Sequence, residues 1–212
     1  MVVVAVMAVV ASAAWAGFAR FKPRASLASA TAELQSLIHS ARQAALANGQ
    51  DVAVLFFPDQ ATGDSVGRVI VYRDGDATFF LSTGTINFAS YSAAALAADT
   101  NSAVLAHLDL PKGVLFGPTG GMGSSGPLAA PLASVPVSSD CPFCSSGSSR
   151  RGAIRFDEKG RATFYGGGSS ALDAVDADEG GASVTIESSD VSGQATLVIL
   201  SETGAIQVIQ KG

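Results

Sequence analysis

Hydrophobic and polar positions along the chain follow three regimes. Residues 1–19 (MVVVAVMAVVASAAWAGFA) are apolar on every side and carry no charge. Residues 25–50 alternate with a helical period: Leu27, Ala30, Leu34, Leu37, Ile38, Ala41 and Ala45 fall on one stripe, and Glu33, Gln35, Ser36, Arg42 and Gln43 lie opposite. That i, i+3, i+4, i+7 spacing predicts an amphipathic helix. After Asn48-Gly49, a left-handed stop signal, the period shortens to that of strands.

The all-apolar segment reaches about 28 Å as a helix, close to the hydrocarbon thickness of a bilayer. Arg20, Lys22 and Arg24 flank it, with Trp15, Phe18 and Phe21 near that boundary, where interfacial aromatics belong. A transmembrane anchor is the preferred reading. A cleaved secretory signal is the second, because Ala11-Ser12-Ala13 and Ala14-Trp15-Ala16 fit the small-x-small pattern, although no basic residue precedes the apolar run. A buried core helix is the third, disfavoured because the segment has no polar face. Pro23 is expected to interrupt and kink the helix. The stripe beyond it needs an apolar partner, most economically a sheet of the same chain.

Extended runs follow at residues 51–57 (DVAVLFF, ended by Pro58-Asp59), 67–73 (GRVIVYR) and 76–82 (DATFFLS). Asp74-Gly75 between the last two predicts a hairpin. A short helix is expected at 93–98, and strands at 104–110 and 113–116. Further strands are expected at 152–157, 161–165, 182–187, 194–201 and 205–209. Glu158-Lys159-Gly160 and Thr203-Gly204 supply turns. The organisation is thus α+β: a transmembrane helix and basic flank over 1–24, an amphipathic helix over 25–50, and a β-rich domain over 51–212 with an antiparallel sheet. Residues 117–151, rich in Gly, Pro and Ser, form one long loop within it.

Composition narrows the chemistry. Only 15% of the 212 residues are charged and the formal net charge is −5. A mildly acidic body gains nothing from counterion release on nucleic acid, which is disfavoured as a partner. Arg150-Arg151 is the one local basic pair to nominate. Cys141 and Cys144 form a C-x-x-C inside the long loop. The flanks are Ser-rich and the strand-to-helix context of a redox catalyst is missing. No second cysteine or histidine pair completes a zinc site. A local disulfide or a pair of idle thiols remains. Asp173, Asp176, Asp178 and Glu179 lack EF-hand spacing and read as a solvated acidic loop. His39 and His107 each read as structural positions. No catalytic residue, cofactor or metal ligand is expected.

The apolar residues 1–15 and the segment LQSLIHSARQAALANGQDVAVLFF resemble bacterial type IV pilin-like proteins, and within them the GspH/FimT-type minor pseudopilins. Three short features carry the likeness further: Ala41-Arg42-Gln43-Ala44 at the helix end, Phe156-Asp157 with Gly160, and Thr203-Gly204 before the last strand. The family's basic leader ending in Gly-Phe-Thr-x-x-Glu does not occur here, and Met1 would fall just after its acidic position. A leader encoded upstream would supply the cytoplasmic basic charges. The resemblance implies a structural subunit of a type II secretion pseudopilus or a type IV pilus. Its partners would be other pilin or pseudopilin subunits and the inner-membrane lipid around residues 1–19. Its C-terminal domain would lie in the periplasm or outside. Two alternatives of other classes compete. One is an anchored module capturing a ligand, a surface or DNA through the 117–151 loop. The other is a thiol-disulfide enzyme using Cys141 and Cys144.

Overall fold

A computed structural model describes residues 2–75, 77–81, 87–88, 91–98, 103–117, 135, 141–144, 150–167, 180–190, 193–200 and 202–211; in the first 20 residues the side chains described are Met7 and Trp15. The architecture is α+β. One helix, α1 (Val2–Asn48), continues through Pro23 without a break. Two antiparallel sheets follow. The first has the order β3 (Ala103–Asp109), β2 (Ser65–Arg73), β1 (Val52–Thr62), β5 (Arg151–Phe156), β6 (Ala162–Gly167). The second has the order β4 (Val114–Phe116), β7 (Gly181–Ser188), β8 (Gln194–Leu200), β9 (Ile206–Lys211). A short helix, α2, occupies Ala93–Ala98.

The stripe of α1 lies in the main core. Leu34, Ile38, Ala41 and Ala45 are fully buried, with Ala30, Leu27 and Leu37 nearly so. They pack with Val52, Val54, Phe56, Ile154 and Phe156 of the first sheet and with Val184, Ile186, Leu197 and Ile199 of the second. Each buried Leu or Ile contributes roughly 2 kcal/mol from the apolar area it removes from water. Alanines at 30, 41 and 45 let the backbone approach both sheets closely. The stop is as the sequence suggests: Gly49 has φ of 60°, and its N–H donates to the Ala45 carbonyl at 3.0 Å.

Strand β1 is buried on both faces. Its alternate residues Ala53, Leu55 and Phe57 belong to a second apolar cluster on the far side of the first sheet, with Ile70, Tyr72, Phe79, Phe80, Phe88, Tyr91 and Leu96. Here the structure corrects two expectations. Pro58 does not end the strand. It sits at the ladder irregularity between Phe57 and Ala61, where a missing N–H is tolerated, and β1 turns into β2 at Gly63-Asp64. Nor does Asp74-Gly75 open a hairpin. The Asp74 carboxylate instead accepts the N–H groups of Thr78 and Phe79, both at 3.2 Å. The described residues 77–81 therefore form turns, and Phe79 and Phe80 swing onto the sheet. β2 pairs with β3 in place of the expected partner. A third difference is that the strands divide into two sheets, with α1 against both.

Candidate functional site

Three segments remote in sequence meet at the C-terminal end of α1. Arg42 Nε donates to the Gly160 carbonyl at 3.2 Å. Gly160, at φ of 74°, closes the β5–β6 turn. Gly204, at φ of 60°, closes the β8–β9 turn. A Cβ on Gly204 would stand 2.4 Å from the Gly160 oxygen and 2.9 Å from Arg42 Nε. Backbone approach this close requires glycine. The helix end is thereby tied to one turn from each sheet. Arg42, Gly160 and Gly204 each belong to a short feature singled out in the sequence.

Beside this junction lies an open cleft of about 420 Å³, lined by Gly49, Asp51, Asp74, Arg155, Asp157 and Glu158 among others. Arg155 on β5 donates to Asp51 through Nε at 2.9 Å and through Nη2 at 2.5 Å. Its guanidinium lies 5.5 Å over the Phe80 ring, and Nη1 is 3.4 Å from the Tyr165 hydroxyl. Burial pushes the Asp74 carboxyl above its usual range, against the bonds from Phe79 and Thr78 that favour its charge. Asp157 accepts the N–H groups of Lys159 and Arg161, each at 2.9 Å, and pairs with the Arg161 side chain. Asp51, Asp74, Arg155 and Asp157 are thus committed to one another or to nearby N–H groups, and the cleft reads as a brace. Among the described residues, no group of three or more His, Cys, Asp or Glu is placed to hold a metal ion.

The basic pair is similarly engaged. Arg150 donates to both oxygens of Asp59, at 2.8 and 3.0 Å, and this holds the Asp59 carboxyl below its usual range. Arg151 lies over the Tyr91 ring, 4.6 Å from its centroid, and donates to the Tyr91 carbonyl. His39 is half-buried on α1 and His107 is exposed on the edge strand β3. Cys141 and Cys144 are joined in a disulfide. Cys141 is buried, and residues 141–144 form a turn with no helix starting at Cys141. A nucleophilic thiol of the thioredoxin kind needs exposure and a helix N-terminus.

No family model, curated protein or solved structure matches the chain. Among the described residues no helix is long and apolar enough to cross a membrane. The anchor expected over residues 1–19 falls on side chains outside the described residues, Met7 and Trp15 apart; those two are exposed, as is Phe21. Most of the 117–151 loop lies outside them too, as do Asp173, Asp176, Asp178 and Glu179.

Sequence reasoning placed the buried stripe of α1 and the cysteine pair. It missed the Asp51–Arg155 brace, for which no local signal exists, since the partners are 104 residues apart. It also missed Gly152 and Gly166 as a seat for the cysteine loop. Glycine inside a strand marks a close approach, and that signal was present.

Proposed function

We propose that this chain is a structural subunit of a type IV pilus or type II secretion pseudopilus, a minor pilin-like protein that works by helix packing. One observation carries the reading. α1 has 47 residues, but its buried stripe spans Leu27 to Ala45 only. The preceding part, about 37 Å of helix, is apolar and uncharged through Ala19 before its basic flank, and its described large side chains Met7, Trp15 and Phe21 are 68%, 81% and 69% exposed. Such a segment needs lipid or other helices around it. The meeting of Arg42, Gly160 and Gly204 adds support, because it gives one structural reason for three scattered sequence features.

In this account residues 1–19 hold the chain in the inner membrane as a single pass, and the β domain lies in the periplasm or outside. On assembly the helix leaves lipid and packs against helices of neighbouring subunits. The role is mechanical.

The test is fractionation of bacteria expressing the full chain. The protein should remain with membranes through high-salt washing and be released by detergent. A Val9→Arg, Val10→Arg double variant should move to the soluble fraction, because each charge at mid-helix opposes insertion by about 2.5–3.5 kcal/mol. Recovery of the unaltered chain in the soluble fraction would overturn the reading.

A further inference from the structure

The cysteine loop sits in a notch built for it. On the helix-facing side of the first sheet, Gly152 of β5 stands directly opposite Gly166 of β6 and beside Phe56 of β1. Neither glycine carries a side chain, so the pair leaves a gap in a surface otherwise made of Phe56, Ile154, Phe156 and Phe164. The loop fills it. A Cβ on Gly152 would lie 2.9 Å from Cys144 Sγ and 3.0 Å from the Phe143 ring, and one on Gly166 would lie 3.1 Å from the Phe143 carbonyl. Phe143 is 1% exposed. Its ring meets Phe56 edge-on at 5.6 Å and Phe164 at 5.5 Å. The Cys144 N–H donates to the Cys141 carbonyl at 2.9 Å, closing the turn.

We infer that the Cys141–Cys144 bridge is a redox latch whose working part is Phe143. The loop has two residues between its sulfurs, so the bridge closes little chain and its main effect is on local shape. With the bridge formed, the turn presents Phe143 to the slot between Phe56 and Phe164. With it broken, the four-residue turn loses that constraint and Phe143 leaves the slot. Latching needs a disulfide-bearing oxidant. A thiolate of the chain attacks that disulfide, giving a mixed disulfide and releasing one oxidant thiol. The second cysteine then displaces the remaining oxidant thiol, so two protein thiols become one disulfide, and their two protons and two electrons end on the two oxidant thiols. A dithiol reductant runs the sequence backwards. Cys144, which is less buried than Cys141, is the sulfur it attacks, and Cys141 leaves as thiolate. This inference is independent of the assembly role proposed above.

The experiment compares thermal unfolding of the full chain in detergent, oxidised and after reduction, with alkylation of two thiols confirming that the bridge is open. Release of a buried phenylalanine should lower the melting temperature of the unaltered chain by about 5–10 °C. In Phe143→Ala the ring is already gone, so reduction should lower it by less than half as much. If Phe143→Ala does not fold, Phe143→Leu takes its place, with an intermediate drop expected. An unchanged melting temperature on reducing the unaltered chain would overturn the latch. So would an equal drop in the Phe143 variant, which would assign the whole effect to loop closure.

Discussion

Alanine at position 204 would put a methyl group into the junction that ties α1 to both sheets. Two effects follow. The first is conformational: φ at Gly204 is 60°, and a non-glycine residue held there costs about 1 kcal/mol. The second is steric. The methyl carbon would stand 2.4 Å from the Gly160 oxygen, 2.9 Å from Arg42 Nε and 3.0 Å from Arg42 Cδ. The nearest atom is backbone, so a turn must move by close to 1 Å, a rough figure from ordinary contact distances. The Arg42–Gly160 hydrogen bond cannot survive that shift, and a bond from a charged donor is worth about 1.5–3 kcal/mol. The sum is on the order of 3 kcal/mol. Gly49→Ala is the control, since its φ is also 60° and nothing lies within 4 Å of its Cβ position. It should lose only the conformational part, about 1 kcal/mol. Urea unfolding followed by far-ultraviolet circular dichroism reads the gap of about 2 kcal/mol as a midpoint difference of roughly 1 M. Equal losses in the two variants, within about 0.5 kcal/mol, would refute the packed junction.

Leu34→Ala should destabilise by about 2–5 kcal/mol because Leu34 is fully buried, whereas Ser36→Ala on the exposed face should stay within about 0.5 kcal/mol; the same unfolding assay measures both. Asp109 is held below the usual carboxylate range by its hydrogen bonds from Arg68, so its contribution is present above the unfolded-state value and lost as pH falls through the folded one. Asp109→Asn should flatten the acid limb of the stability profile. Asp74 has the opposite sign. Burial raises its folded value, so protonation favours the folded state and stability at this group is gained as pH falls. Asp74→Asn should remove that gain and keep an acceptor for the turn, while Asp74→Ala, which leaves the Thr78 and Phe79 N–H groups without their acceptor, should be less stable than Asp74→Asn at neutral pH.

Much of the fold was legible because its signals are local. The Leu27-to-Ala45 stripe, the Asn48-Gly49 stop, the helix at Ala93–Ala98 and the β5–β6 turn through Gly160 all rest on period or on turn chemistry within a few residues. The two local errors have different causes. Asp74-Gly75 resembles a hairpin turn, but the Asp74 carboxylate captures two N–H groups and directs Phe79 and Phe80 over the sheet. Pro58 resembles a strand end, but a ladder irregularity absorbs it. Division into two sheets was not legible. Period identifies a strand and not its neighbour, and the pairing of β1 with β5 spans about a hundred residues of chain. The notch of Gly152 and Gly166 needs the register between two strands before either glycine acquires meaning.

The central claim is that the first half of α1 is a packing surface for other helices, while the second half is closed by its own sheets. Site-specific photo-crosslinking in cells assembling these filaments tests it most directly, with the photoreactive residue placed at Trp15, at Phe21 or at Leu34. The account predicts crosslinks to pilin-like subunits from positions 15 and 21 and none between chains from position 34. Crosslinks confined to lipid or to the chain itself at 15 and 21, or an intermolecular product from 34, would contradict it.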